Sequence, residues 1–153
     1  MENLLRVPFY PQQGDGNCLP ACAQMVLAYY GIVRSQGRLA AQLSVRPNIG
    51  TPASTIQRIQ SRTISVEYGS ATLPKLKTST QNGLPIIAFI QAAELPRWRG
   101  QYFQHAVVIV GIKADAIYLL DPAGEAPPEA VSEGDFMLAW AEMENLCAII
   151  RRN

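Results

Sequence analysis

Charge is scarce in this sequence. Asp, Glu, Lys and Arg make up 16% of its 153 residues and nearly cancel, leaving +1. Beyond Arg151-Arg152 there is no basic cluster, which argues against a nucleic-acid partner. No apolar run approaches the ~20 residues a membrane span needs, so none is expected. The opening MENLLRVPFYPQ lacks the hydrophobic segment and small-residue cleavage site of a signal peptide. Cysteine occurs three times, an odd count. Without an export signal the thiols are expected to be reduced, with the cytoplasm as location. Histidine occurs once, as His105, so any imidazole chemistry falls to that residue. No internal repeat is present.

What the chain has is apolar residues, 48% of the total, enough for a compact globule and against disorder. Its length fits a single domain over residues 1–153. The organising stretch is QQGDGNCLPACAQMVLAYYG, Gln12 to Gly31. A polar, glycine-bearing loop passes through Cys18-Leu19-Pro20 into an apolar run that stops at Gly31. Proline suits the first turn of a helix and glycine the position just past its end, so a helix is expected from Cys18 or Leu19 to Tyr30. With only Gln24 frankly polar along it, that helix should be buried on nearly every side. A cysteine at such an N-terminus meets the positive end of the helix dipole, which favours a thiolate. Its plainer reading is a small buried hydrophobe.

The remaining pattern predicts an edge strand over Leu4 to Tyr10 and a short helix over Ser35 to Leu43. A further helix starts at Thr51-Pro52 with Ile56 and Ile59 on its buried side. A strand follows over Ile64 to Tyr68, then a helix from Thr72-Leu73-Pro74 to Asn82-Gly83, and a doubly apolar strand over Leu84 to Ile90. Ala92 to Gln104 reads as a surface loop whose Trp98 flanks a cleft or packs the loop down, the second being the commoner arrangement. Two strands, HAVVIVGI and AIYLLD, precede the proline-rich loop DPAGEAPPEAVSEG. A helix over Asp135 to Met143 and a strand over Leu146 to Arg151 close the chain. Helices gather early and strands late, without β-α-β alternation, which describes an α+β domain with a mostly antiparallel sheet.

His105 starts one strand and Asp121 ends the next. A three-residue turn, Ile112 to Ala114, would place the two directly opposite and on one face, with Cβ atoms ~5 Å apart; a two-residue turn would break that alignment. A carboxylate-held imidazole can deprotonate a thiol or hold its thiolate as an ion pair. Taken singly, His105 reads as a satisfied core histidine and Asp121-Pro122 as a turn initiator. With a helix-start cysteine they form a set. An oxyanion would need the Cys18 backbone N–H and a side-chain amide from the preceding loop, Gln12 or Gln13. Cys18, Cys22, Cys147 and His105 have no usual zinc spacing, so Cys22 and Cys147 read as core residues and no metal or cofactor is expected.

These segments resemble the bacteriocin-exporter peptidases, the papain-like cysteine peptidases that remove double-glycine leader peptides. The matching stretches are VPFYPQ, NCLPACAQMVLAYYG, QHAVVIVGI, YLLDPAGE and FMLAW, in the family's order over nearly the whole chain. The resemblance implies a papain-like fold, with a central N-terminal helix bearing the nucleophile packed on a mostly antiparallel sheet. It implies Cys18 as nucleophile, His105 as base, Asp121 as its orienter and Gln12 as oxyanion donor. It also implies a peptide or protein substrate, leader peptides among them. The family usually carries an acid before the cysteine and glycine after it, where this chain has Asn17 and Leu19. The sequence ends without the transporter portions of an exporter, as a stand-alone domain would. Asp15-Gly16-Asn17-Cys18-Leu19 is similar to the nucleophile motif of ovarian-tumour-type deubiquitinases, but that family's flanking aromatics are replaced by Pro20 and Ala106. A catalytically silent peptide-binding domain is the remaining alternative.

Overall fold

The structure is a computed structural model that describes residues 4–125 and 128–153. Helix α1 spans Cys18–Tyr29, and its Leu19, Met25, Val26 and Leu27 are almost fully enclosed. Gly31 follows at φ +80°, where the chain turns out of the helix. Helix α2 spans Gln36–Gln42 and is started by the Ser35 side chain, which accepts from Arg38 N. The Thr51-Pro52 start leads into a 3₁₀ helix, Ala53–Ile59, with Ile56 and Ile59 buried. Helix α3, Leu73–Gln81, is capped by Thr72, and α4, Glu133–Ala141, by Ser132. In each cap a hydroxyl accepts one of the otherwise unpaired first-turn N–H groups.

Strands β1 (Ile64–Ser70), β2 (Ile86–Gln91), β3 (Gln104–Lys113), β4 (Ala116–Leu120), β5 (Glu129–Ser132) and β6 (Leu146–Arg152) form one six-stranded sheet. Its order is β1-β6-β2-β3-β4-β5, and every pairing is antiparallel. Both faces are covered. On one, α1 packs Met25 and Val26 against Phe89, Val108 and Leu120; on the other, α3 and α4 pack Leu76, Phe136 and Trp140 against Ile109 and Ile149. Two covered faces explain why β2 reads as an unbroken apolar run rather than an alternation. Each enclosed large side chain is worth about 1.5–3 kcal/mol of transfer free energy.

Three expectations fail. Leu4 to Tyr10 forms no strand: Pro8 lacks an N–H, and the segment instead lays Leu5, Val7 and Phe9 on the core and gives Leu5 N to Val110 O at 2.8 Å. Ala92 to Gln104 is not a surface loop throughout, because two 3₁₀ turns, Ala92–Glu94 and Pro96–Trp98, bury Ala92, Ala93 and Leu95. The proline-rich stretch contains β5, an edge strand; Ala126 and Pro127 of that stretch lie outside the described residues.

The hairpin register also differs from the one expected. The β3–β4 turn has two residues, Ala114 and Asp115, between the Lys113–Ala116 pair. Such a turn pairs odd residues with even ones and would send His105 and Asp121 to opposite faces. A bulge cancels this. Gly111 pairs with Tyr118 but Ile109 with Leu119, so Val110 is the extra residue and the register slips by one. Beyond the slip odd residues meet odd, and His105 shares a face with Asp121 after all. A Cβ on Gly111 would come 2.5 Å from Leu4 Cδ2, so the N-terminal segment closes down directly on the bulge.

Candidate active site

Cys18 is the first residue of α1, preceded by a loop whose Gly16 has φ +88°. A Cβ there would lie 2.8 Å from Gly50 N, so only glycine lets the 46–50 loop close on this one. Asn48 N donates to Asp15 O at 2.9 Å across the contact. The two loops form one wall of a cleft of about 440 Å³, and Trp98, Phe103 and His105 form another. Cys18, half-buried, lies at its floor. A smaller recess of about 40 Å³, lined by Thr51, Phe89 and Met143, also borders Cys18.

His105 is 5% exposed and Asp121 3% exposed, with Nε2 of the ring 2.6 Å from Oδ1 of the carboxylate. The same Oδ1 accepts from Ala123 N at 2.9 Å, and Oδ2 accepts from Trp98 Nε1 at 2.8 Å. Burial opposes ionisation of Asp121, but the bond from His105, with those of Trp98 and Ala123, holds its pKa below the ordinary carboxylate value. For His105 burial favours the neutral ring, yet hydrogen bonds to Asp121 and to Cys18 outweigh it and push the pKa up to about 9. With Nε2 committed to Asp121, Nδ1 is the ring nitrogen left for the thiol. Phe103 meets the imidazole edge-on at 5.3 Å between centroids, and Trp98 at 6.3 Å. The arrangement is a readily charged imidazole, shielded from water, held by a carboxylate and sharing a cleft with the Cys18 sulfur.

Gln12 lines the cleft with Cys18; Gln13 is exposed and takes no part in the lining. The Gln12 backbone N–H donates to Pro122 O at 2.8 Å, its Nε2 to Gly14 O at 3.3 Å, and its Oε1 is enclosed without a partner. Leu19 turns its bulk into the core and is 3% exposed. Cys22 and Cys147 belong to the cores on opposite faces of the sheet, so they cannot share an ion with Cys18 and His105. Burial raises both thiols, Cys22 well above the usual value and Cys147 to about 11. Trp98 both lines the cleft and bonds the carboxylate. In the sequence only its position shows, because an indole N–H leaves no periodic trace.

The chain matches the family model described as the Peptidase_C39 like family over residues 4–148. Among solved structures it is similar to a C39-like peptidase from Bacillus anthracis, with 18% identity, a TM-score of 0.80, and 98% of this chain and 97% of that one covered. It is similar to a double glycine motif protease from an AMS/PCAT transporter in complex with the leader peptide, with 20% identity, a TM-score of 0.74 and coverage of 100% and 96%. A third is the peptidase domain of Streptococcus ComA, a bi-functional ABC transporter involved in a quorum-sensing pathway, at 19% identity, a TM-score of 0.76 and coverage of 94% and 97%. No curated protein sequence matches significantly. The fold is papain-like, α+β, with the cysteine-bearing helix on an antiparallel sheet.

Proposed function

The chain belongs to the Peptidase_C39 like family, and from that premise we propose that it is a cysteine peptidase acting through Cys18, His105 and Asp121. The observation that carries this reading is one buried imidazole held by a buried carboxylate at 2.6 Å and lining the same cleft as the Cys18 thiol. The Cys18 thiolate attacks the carbonyl carbon of a peptide bond, and the oxygen takes the negative charge as a tetrahedral intermediate forms. The Cys18 backbone N–H and the second hydrogen of Gln12 Nε2 receive that charge. As the C–N bond breaks, His105 gives its proton to the departing amine, leaving a thioester on Cys18. Water then attacks the thioester while His105 takes its proton; the acid leaves and the thiolate returns. Asp121 keeps Nε2–H in place and stabilises the imidazolium.

Peptides carrying a glycine pair are the proposed substrates, by analogy with the double glycine motif protease bound to its leader peptide. We place the enzyme in the cytoplasm, acting as one peptidase unit over the whole chain, with its three thiols reduced. Among the described residues no helix is long and apolar enough to cross a membrane.

Turnover of an internally quenched Gly-Gly peptide tests the reading. Wild type should cleave it, Cys18→Ala should not, and iodoacetamide at pH 6.5 should label Cys18 far faster in wild type than in His105→Ala. Equal labelling in both, with no cleavage, would leave a peptide-binding domain in place of an enzyme.

A further inference from the structure

Gln36, at the first position of α2, is 1% exposed yet polar. Its Nε2 donates to Pro11 O at 3.1 Å and to Gln24 Oε1 at 3.0 Å; its Oε1 accepts from Gln13 N at 2.7 Å, with Asn17 Nδ2 at 3.5 Å. The amide has one possible orientation, because Pro11 O can only accept and Gln13 N can only donate. Its two backbone partners are the residues on either side of Gln12.

Satisfying those backbone groups does not require Gln36. Pro11 and Gln13 themselves lie at the surface, where a short polar side chain or a water could serve their backbone groups. Burying an amide is costly unless every bond is made, and here every bond is made. What the bonds accomplish is placement. Gln36 ties both neighbours of Gln12 to α1 through Gln24 and to α2 through its own backbone, while Pro122 O holds Gln12 N from the side of Asp121. The loop carrying the Gln12 amide is thereby fixed to α1 and α2 on one side and to Pro122, next to Asp121, on the other.

We propose that Gln36 is a positioning residue for the oxyanion donor, holding Gln12 at the distance from Cys18 that the tetrahedral intermediate needs. This rests on the reading of Gln12 and Cys18 given above. It acts through Gln12 and touches no substrate.

The experiment separates acylation from thiolate formation. Alkylation of Cys18 by iodoacetamide displaces iodide at a saturated carbon and builds no oxyanion, whereas peptide cleavage does. In Gln36→Leu, kcat on the quenched Gly-Gly peptide should fall about 10- to 100-fold, as misplacement of a catalytic group by an ångström does, with KM little changed. Iodoacetamide labelling of Cys18 in the same protein should stay near the wild-type rate, which also reports that the variant is folded. Gln36→Glu, which keeps the acceptor for Gln13 N but loses the donors, should fall between the two. The double variant Gln12→Ala/Gln36→Leu should be no slower than Gln12→Ala alone, because a clamp has nothing to hold once the amide is gone. Losses that multiply in the double variant, or labelling that falls in step with kcat, would overturn the proposal. Failure of the nucleophile assignment would look different: wild type and Cys18→Ala would show the same turnover, and the clamp would fall with it.

Discussion

At the scale of single residues, His105 is buried and held from several sides at once. Burial pulls its pKa down, Asp121 and Cys18 push it up, and the balance is about 9. The folded-state value lies above the 6.5 of an exposed histidine, so its stabilisation is complete below pH 6.5 and is lost as pH rises through about 9. Asp121 acts at the other end: its lowered pKa stabilises the fold above the ordinary carboxylate value of 3.8 and is lost as pH falls through the folded one. His105 is the only histidine, so its ring protons give an unambiguous NMR titration. The wild-type midpoint should stand well above 6.5, and Asp121→Asn should lower it by removing the main partner that raises it. An unshifted midpoint in Asp121→Asn would mean that the 2.6 Å contact does not govern the ring.

At the scale of elements, the site depends on how segments far apart in sequence are pinned together. The loop before Cys18 meets the 46–50 loop so closely at Gly16 that a methyl group would strike backbone, and the positive φ adds its own strain. Gly16→Ala should cost about 1–3 kcal/mol of stability, read from urea unfolding, since no flexible side-chain end is there to give way. Cleavage should suffer beyond what stability explains, because the displaced loop leads straight into Cys18. A wild-type urea midpoint in Gly16→Ala would show that the loops part without cost. The β3–β4 bulge shows the same dependence. Ala114 and Asp115 make the turn, but Val110 decides on which face His105 sits.

At the scale of the whole molecule, the sheet is a wall between two cores, and the site lies at the edge of one of them. Phe136 belongs to the far core, fully enclosed beside Trp140. Phe136→Ala should cost about 3–5 kcal/mol. Because β2, β3 and β6 contribute to both cores, that loss should be felt as one cooperative transition. Far-UV circular dichroism and the rate of Cys18 labelling should then report the same urea midpoint in the variant. Separate midpoints would mean that the two faces unfold independently.

The sequence alone determined the parts whose signals are local. Pro20 and Gly31 bracket α1 to within a residue, Ser35 and Thr72 start their helices, and the apolar run of β2 announces burial on both faces. As candidates, Cys18 is marked by its place at a helix start, His105 by being the single histidine, and Asp121 by ending the strand after the one His105 begins. Tertiary structure decided the rest. The two-residue turn by itself would have parted His105 from Asp121, and what reunites them is a bulge that the N-terminal segment closes upon. Trp98 reaches Asp121 across 23 positions, and Gln36 reaches Gln13 across the same number. A helix cap is satisfied within a few residues, so its signature lies in adjacent letters; a buried amide or indole finds its partner only once the sheet and helices have closed around it.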